Sequence, residues 1–165
     1  MPASADELTR SICTRVALAK HGQRALGSGH RRQRHWGSHA QDRAHHRSGH
    51  PGPVSHYCHV TRAGPHVWVA GVVGQAQDGS IPSDVVAQFD IAVAVMDKCL
   101  KAAGAGPEHV VKVQVFMTDI TERPRINPRR IAYFGDNRPA STLVEVKGLV
   151  DPRMKVEIEC QAYVE

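Results

Sequence analysis

The sequence has no run of apolar residues long enough to cross a bilayer, and its first residues lack the apolar segment of a secretory signal peptide. Cysteine is also scarce, and the four cysteines are far apart and form no C-x-x-C pair. Such spacing is typical of reduced, mostly buried thiols and not of a disulfide framework. From these absences we expect a soluble cytoplasmic protein. The cysteines are Cys13, Cys58, Cys99 and Cys160.

The sequence motifs of several large enzyme classes are absent as well. There is no G-x-x-x-x-G-K-[ST] phosphate-binding loop, no G-x-G-x-x-G that opens a helix and no G-x-S-x-G nucleophile turn. His56, His59 and His66 are close in sequence, but alternation along a strand would place His56 and His59 on opposite faces. Each face would then hold too few ligands for a metal ion, so we expect no metal. With the nucleotide-binding motifs absent as well, we also expect no organic cofactor.

Positive charge is concentrated in the amino-terminal third of the chain. Residues 1–50 include nine Lys or Arg and three Asp or Glu, whereas residues 51–165 include twelve and thirteen. The formal net charge of +5 therefore describes a basic tail and not the rest of the chain. Binding to a nucleic-acid backbone needs clustered Lys and Arg, so we expect contact with nucleic acid only weakly, through that tail.

We assign this tail to residues 1–53. Ser4 and Glu7 have the spacing of a capping box before apolar residues that recur every four positions, so a short helix over residues 4–20 is one interpretation. Residues 21–53 contain seven histidines, six arginines and six glycines, and we expect disorder there because so few apolar side chains cannot form a core. Loose phosphate binding, metal binding by the histidines and no role at all remain alternatives.

Residues 54–165 are expected to form one folded domain. Turns separate its apolar segments, which predicts a hairpin around Gly64, a turn at Gly79 and a helix that Ser83 caps and Gly104 ends. The remaining segments are a strand, a shorter helix and two strands, over about residues 109–120, 126–134, 141–146 and 154–164. The order β-β-α-β-α-β-β predicts an α+β sandwich with both helices on one face of the sheet.

The last predicted strand contains the sequence VEIEC, in which acidic and apolar residues alternate. Alternation sends Val156, Ile158 and Cys160 into the core, and it places Glu157 and Glu159 on the opposite face. Acidic residues on such a face are usually only solvated. A carboxylate that a second subunit covers gains basicity, however, and can activate a water molecule.

Four segments of the predicted domain resemble the RidA/YjgF family, once named endoribonuclease L-PSP. The run HYCHVTRAG followed by VWVAG is similar to the family's P-Y-S-Q-A-V-x-x-G and hydrophobic-S-G opening, and VVKVQVFMTDI is similar to its V-x-K-x-x-V-F-h-x-D-h strand. INPRRIAYFG and RPAST resemble V-N-x-x-Y-x-x-F-F and P-A-R-S, and VKGLVDPRMKVEIECQA resembles V-x-x-L-P-x-x-h-x-I-E-I-E-A. The resemblance covers residues 55–165.

This resemblance implies a chorismate-mutase-like fold, a homotrimer with clefts between its subunits, and hydrolysis of enamines and imines such as 2-aminoacrylate. It implies that the arginine of P-A-R-S binds the substrate carboxylate and that a glutamate of the last strand holds the attacking water. It also implies that a tyrosine, a serine, an asparagine and a cysteine line the cleft.

Seven positions of this sequence correspond to the implied site, with Glu157 as the catalytic residue. The retained family residues are Tyr57, Gly71, Asn127 and Glu157. The departures are Ala70 in place of serine, Leu143 in place of cysteine and Ser141 in place of arginine. Because Ser141 carries no charge, we expect 2-imino acids to bind poorly and Ser141→Arg to raise imine hydrolysis by about tenfold. Arg138, three residues upstream, is one candidate to replace the missing charge.

These residues lead to three hypotheses. The first is an enamine or imine hydrolase of altered specificity, in which Glu157 positions water and Tyr57, Asn127 and Ser141 orient the ligand. The second is a non-catalytic trimeric protein that binds or senses a small metabolite in the same cleft. The third, a weak endoribonuclease, is disfavoured by the near-neutral charge of the domain.

Overall fold

The computed structural model describes residues 14–17 and 56–165. Single 3₁₀ turns at Pro107–His109 and Ile120–Glu122 precede the fourth strand and the second helix. None of the described helices is long and apolar enough to cross a membrane. The described residues form the strands and helices β1 (Thr14–Ala17), β2 (Val60–Ala63), β3 (His66–Val73), α1 (Val85–Ala102), β4 (Val110–Met117), α2 (Arg123–Phe134), β5 (Ala140–Glu145) and β6 (Val156–Tyr163).

All these strands belong to one mixed sheet in the order β1-β2-β3-β6-β4-β5. The outer pairs β1–β2 and β4–β5 are parallel, whereas the pairs between them are antiparallel. The predicted α+β fold and its order of elements are confirmed from β2 to β6, with helices α1 and α2 packed on one face of the sheet. No described element covers the other side, which carries Trp68, Phe116 and Glu157 and is called the open face below.

Sequence alternation decides which side chains reach each face. In β6, Val156, Ile158 and Cys160 are buried in the core below the helices, and Glu157 and Glu159 lie on the open face, as predicted. The same alternation holds in β4 from Val113 onward, where Val113, Val115 and Met117 are buried and the intervening Gln114 and Phe116 are half-buried. The open face therefore gathers the polar side chains of the central strands.

Helix α1 begins at a different cap from the one predicted. Asp84, and not Ser83, is the N-cap, because its carboxylate accepts hydrogen bonds from the backbone N–H groups of Val86 and Ala87. The prediction of Ser83 is therefore wrong, and a negative charge at this position also interacts favourably with the helix dipole. At the other end, Gly104 adopts a φ of +74° just after the helix, in agreement with its predicted role as the stop.

The structure also corrects one prediction for the tail. Residues 14–17 form strand β1, in which Thr14 lies opposite Val60 of β2. A helix over residues 4–20 is therefore wrong for these four residues, because pairing with the edge of β2 outweighs the local helical spacing. The rest of that helix and the predicted disorder of residues 21–53 lie outside the described residues, and the domain boundary stays a prediction.

Gln88 of α1 is a fully buried polar side chain. Its amide nitrogen donates to the backbone carbonyls of Pro82, at 2.6 Å, and Arg153, at 2.9 Å. Its amide oxygen accepts a hydrogen bond from the backbone N–H of Lys155 at 2.7 Å. Gln88 therefore joins the helix to the segment that leads into β6, the strand that carries Glu157.

We expect Gln88→Leu to lower the free energy of unfolding by about 2–4 kcal/mol, because three backbone groups lose their hydrogen-bond partner in the interior. Urea denaturation followed by circular dichroism measures this change. Gln77→Leu, at an exposed loop position, is the matched control and should change stability by less than about 0.5 kcal/mol. Equal stability of the two variants would show that the hydrogen bonds of Gln88 contribute nothing.

Candidate functional site

Glu157 lies on the open face in the centre of the sheet. Its Cα pairs with Val73 of β3 on one side and with Phe116 of β4 on the other. Its carboxylate lies directly over Gly71, where an added Cβ would come within 1.8 Å of Oε1. A register shift in β3 brings the Gly71 backbone to this point, and only glycine leaves room there for the carboxylate. Because Gly71 has no side chain, the space above its Cα is free for the Glu157 carboxylate.

The Glu157 carboxyl group is more basic than an ordinary glutamate. Partial burial raises its pKa, and the nearby negative charge of Glu159 raises the pKa further. The Glu159 carboxylate in turn accepts a hydrogen bond from the side-chain amide of Gln114. A half-buried carboxylate of raised basicity can hold a water molecule and accept a proton from it.

A cavity of about 270 Å³ opens on the same face. Ala70 and Glu159 line it, together with Trp68, Lys112 and Gln114. Acidic, basic, amide and aromatic groups therefore surround a volume that suits a small polar molecule. The methyl group of Ala70 stands where the resemblance implies a hydroxyl, so this wall offers no hydrogen bond from that side chain.

The predicted residues Asn127 and Ser141 lie on helix α2 and strand β5, which Arg130 connects. Asn127 and Arg130 lie three residues apart on α2, and both line a second cavity of about 370 Å³. Arg130 Nη2 donates a hydrogen bond to Ser141 Oγ at 2.6 Å. Ser141 pairs with buried Val113 of β4, so it faces the helical side of the sheet. The Ser141 hydroxyl is therefore held by a guanidinium from the helix.

The predicted site residues thus form two groups within one chain. Glu157 lies over Gly71 on the open face, next to Ala70, whereas Ser141 faces the helical side, where the helix that carries Asn127 contacts it through Arg130. The register of β4 shows this separation, because the partners of Ser141 and Glu157 in that strand point to opposite faces. The structure therefore does not bring the predicted residues into a single cleft of one subunit.

Two further predicted residues lie apart from both cavities. Tyr57 is exposed just before β2, and its ring meets that of His59 edge-on at a centroid distance of 5.6 Å. Leu143 of β5 is half-buried against the hydrophobic core, which gives its side chain a packing role. Any ligand contact of Leu143 must use the part of the side chain that the core leaves exposed.

Arg130 is the residue that the sequence reasoning missed. It occupies the position of the tyrosine in the V-N-x-x-Y-x-x-F-F pattern, and this departure was the available signal. Arg138, the residue suggested by its proximity in sequence, lines the same cavity but is exposed. Contact with Ser141 comes from Arg130 instead.

Metal binding and catalysis by a buried cysteine are not supported by residues 14–17 and 56–165. No three His, Cys, Asp or Glu side chains in this part of the chain are grouped so that they could hold a metal ion. Burial raises the pKa of the Cys99 and Cys160 thiols to about 12. Both thiols therefore stay protonated at neutral pH, which makes them poor nucleophiles.

Comparison with known proteins agrees with this fold. Residues 48–164 match the family described as "Endoribonuclease L-PSP". A RutC family protein of Pyrococcus abyssi is 31% identical over 70% of this chain and 91% of its own length. The 3-aminoacrylate deaminase RutC of Acinetobacter baylyi is 30% identical over 70% of this chain and 93% of its own length. The crystal structure of a YjgF-family protein of Mycobacterium tuberculosis superposes with a TM-score of 0.60 at 35% identity, covering 66% of this chain and 86% of that one. The chain therefore belongs to the endoribonuclease L-PSP family, the RidA/YjgF family of the sequence resemblance.

Proposed function

We propose that the protein hydrolyses a small enamine or imine, a deaminase reaction, in a cleft between subunits. The observation that carries the proposal is the position of Glu157, a half-buried carboxylate of raised pKa that Gly71 alone leaves room for. A relative named as a 3-aminoacrylate deaminase supports the reaction class.

The chemistry requires a water molecule and a base. Water attacks the carbon of the C=N bond while the Glu157 carboxylate accepts a proton from it. The imine nitrogen takes up a proton as the C=N bond opens, which gives the carbinolamine. The carbinolamine nitrogen takes up a second proton and leaves as ammonia, while the hydroxyl group loses its proton and becomes the carbonyl. An enamine first takes up a proton on carbon and loses one from nitrogen, which gives the imine. The attack of water needs an ionised Glu157 carboxylate, and the proton that Glu157 accepts is then available to the leaving nitrogen.

The separation of the site residues supports a homotrimer as part of this proposal. A cleft that contains both groups forms when the open face of one subunit meets the α2 and β5 region of another. The open face has exposed apolar side chains that such a contact would cover, with Trp68 at 41%, Tyr163 at 43% and Val144 at 39% exposure. A second copy of this chain is therefore the partner that we propose.

We expect the full-length chain to be a trimer in solution. Light scattering coupled to size-exclusion chromatography gives the mass directly. Trp68→Glu would place a charge in the contact and should shift the mass toward the monomer, whereas Val150→Glu, at an exposed loop position, should not. A wild-type monomer would contradict the proposed cleft.

An alternative function is a non-catalytic protein that binds or senses a small metabolite. It is favoured by the three neutral replacements, Ala70, Ser141 and Leu143, which remove polar groups that the family resemblance implies. The endoribonuclease alternative has the near-neutral domain charge against it. The cytoplasmic location expected from the sequence remains part of the proposal for either function.

Direct measurement of imine hydrolysis separates the two functions. An amino-acid oxidase generates 2-iminopropanoate and semicarbazide traps it. The protein should lower the initial rate of adduct formation as it converts the imine to pyruvate, which semicarbazide traps more slowly. We expect accelerated hydrolysis, weaker than that of a relative with arginine at the Ser141 position. No acceleration at micromolar protein, combined with measurable binding of a small carboxylate, would favour the binding protein.

Gly71→Ala tests the fixed position of the carboxylate. The added Cβ would meet the flexible end of Glu157 and not the backbone of a neighbouring strand, so folding should be retained while the carboxylate moves. We expect imine hydrolysis to fall by about 10²-fold, the effect of misplacing a reacting group by roughly 1 Å. Gly148→Ala is the matched control, because no atom lies within 4 Å of a Cβ there. Full activity of Gly71→Ala would contradict the assigned role of Glu157.

A further inference from the structure

We infer that Arg130 binds the carboxylate of the ligand, in place of the strand arginine that this chain lacks. This inference rests on the proposed function, because it names the residue that binds the carboxylate of the same substrate. The observation behind it is a half-buried guanidinium that lies against Ser141 and lines the second cavity.

The first argument is the isolation of this charge. Arg125 is paired with Asp84 and Glu122, and Arg129 is paired with Asp90 at 3.2 Å. Within the described residues, by contrast, no carboxylate lies within ion-pair distance of Arg130. Its only hydrogen bond there is the one to Ser141 Oγ, and its buried Nε has no partner.

This isolation has a free-energy consequence. Burial and the neighbouring Arg123 lower the pKa of Arg130, yet a guanidinium remains charged at any physiological pH. A half-buried charge without a counter-charge destabilises the protein, and an anion that binds beside it removes that penalty. The arrangement therefore favours occupation by a negatively charged group.

The second argument is the composition of the cavity. Arg130 and the exposed Arg138 supply positive charge, and Asn127 supplies an amide on the same helix face. Ile131 and Phe134 form an apolar wall next to them. Such a surface fits a short carbon chain that ends in a carboxylate, which a planar guanidinium recognises through paired hydrogen bonds.

The third argument is that positions 130 and 141, whose side chains are in contact, both depart from the family pattern. Ser141 stands where the resemblance has arginine, and Arg130 stands where it has tyrosine. The two side chains are hydrogen-bonded to each other, so the helix delivers a guanidinium to the place from which the strand has lost one. Ser141 acts here as a positioning residue that orients the Arg130 side chain.

Binding of 2-oxobutanoate, a stable keto acid, to the full-length protein tests this inference by isothermal titration calorimetry. We expect Arg130→Gln to weaken binding by about tenfold or more and Arg130→Lys to weaken it less. Arg129→Gln, which removes a charge already paired on the same helix, is the matched control and should bind like the wild type. The neutral amide of the same keto acid should bind the wild type and Arg130→Gln equally weakly.

The outcomes separate the inference from the proposed function. Equal affinity of wild type and Arg130→Gln for the keto acid, a loss caused by Arg138→Gln instead, or no binding by the wild type would each overturn the role of Arg130. Imine hydrolysis by the wild type then decides independently whether the proposed function stands. Thermal unfolding serves as the folding check, and Arg130→Gln should be at least as stable as the wild type because it removes an isolated charge.

Discussion

Glu157→Gln is expected to lower imine hydrolysis by about 10²–10⁴-fold, the range in which a positioned general base contributes. The amide has nearly the same shape as the carboxylate, so it fits over Gly71 and should not disturb folding. It cannot accept a proton from water, however, and the attack on the imine carbon loses its base. Semicarbazide trapping at saturating protein measures the loss. Binding of 2-oxobutanoate should be retained, because we assign its carboxylate to Arg130 and not to Glu157.

Glu159→Gln is the matched control for this substitution. It removes a carboxylate from the same strand and the same face, two residues away, but not the one over Gly71. We expect its activity at neutral pH to stay within about tenfold of the wild type. If Glu159→Gln were the inactive variant and Glu157→Gln the active one, the base would have to be assigned to Glu159, which lines the cavity of the open face.

The pH dependence gives a second test of the same assignment. The pKa of Glu157 lies above its ordinary value because of burial first and the charge of Glu159 second. Glu157 must be ionised to act as a base, so activity should be constant at neutral pH and fall as the pH drops through this raised pKa. Removing the Glu159 charge should lower the pKa of Glu157 and move the acid limb of the profile to lower pH. An unchanged limb in Glu159→Gln would show that another group controls the profile.

Much of the fold could be predicted because the sequence marks it locally. Glycine at the turns and strict alternation in the last strand were sufficient to place Glu157 on the exposed side of a central strand. Strand β1 could not be predicted in this way, since its residues acquire their conformation from a parallel pairing with β2, about 45 residues away in sequence. Local helical spacing gave the wrong conformation there because it contains no information on distant backbone partners.

For the site, the sequence could predict which residue stands at each position but not which side chains are in contact. Matching residue by residue identified the loss of arginine at Ser141, and nearness in sequence then suggested Arg138. The contact that matters joins α2 to β5 and depends on packing between helix and sheet, so it is visible only in three dimensions. Arg130 was one arginine among several in a basic helix until the structure showed that its neighbours have acidic partners and that it has none among the described residues.

The contact between Arg130 and Ser141 changes the result expected for Ser141→Arg. Sequence alone predicts a gain of about tenfold, but in the structure the new guanidinium would enter hydrogen-bond distance of Arg130, and like charges repel at that separation. We therefore expect the single variant to gain nothing and to lose stability. The double variant Arg130→Tyr with Ser141→Arg restores the pattern implied by the resemblance and should hydrolyse 2-iminopropanoate at least as fast as the wild type.

The coupling between positions 130 and 141 is measured by how far the kcat/KM of the double variant departs from the product of the two single effects. Arg130→Tyr alone should lower kcat/KM by about tenfold or more, because no guanidinium remains at the Ser141 position. If the double variant is then tenfold better than the product of the single effects predicts, the two positions are coupled by about 1.4 kcal/mol. Kinetics of the four proteins, wild type included, measure this coupling. Additive effects, with a full gain from Ser141→Arg alone, would mean that the guanidinium of α2 and the strand position act separately. In that case Arg130 would not be the group that replaces the missing arginine.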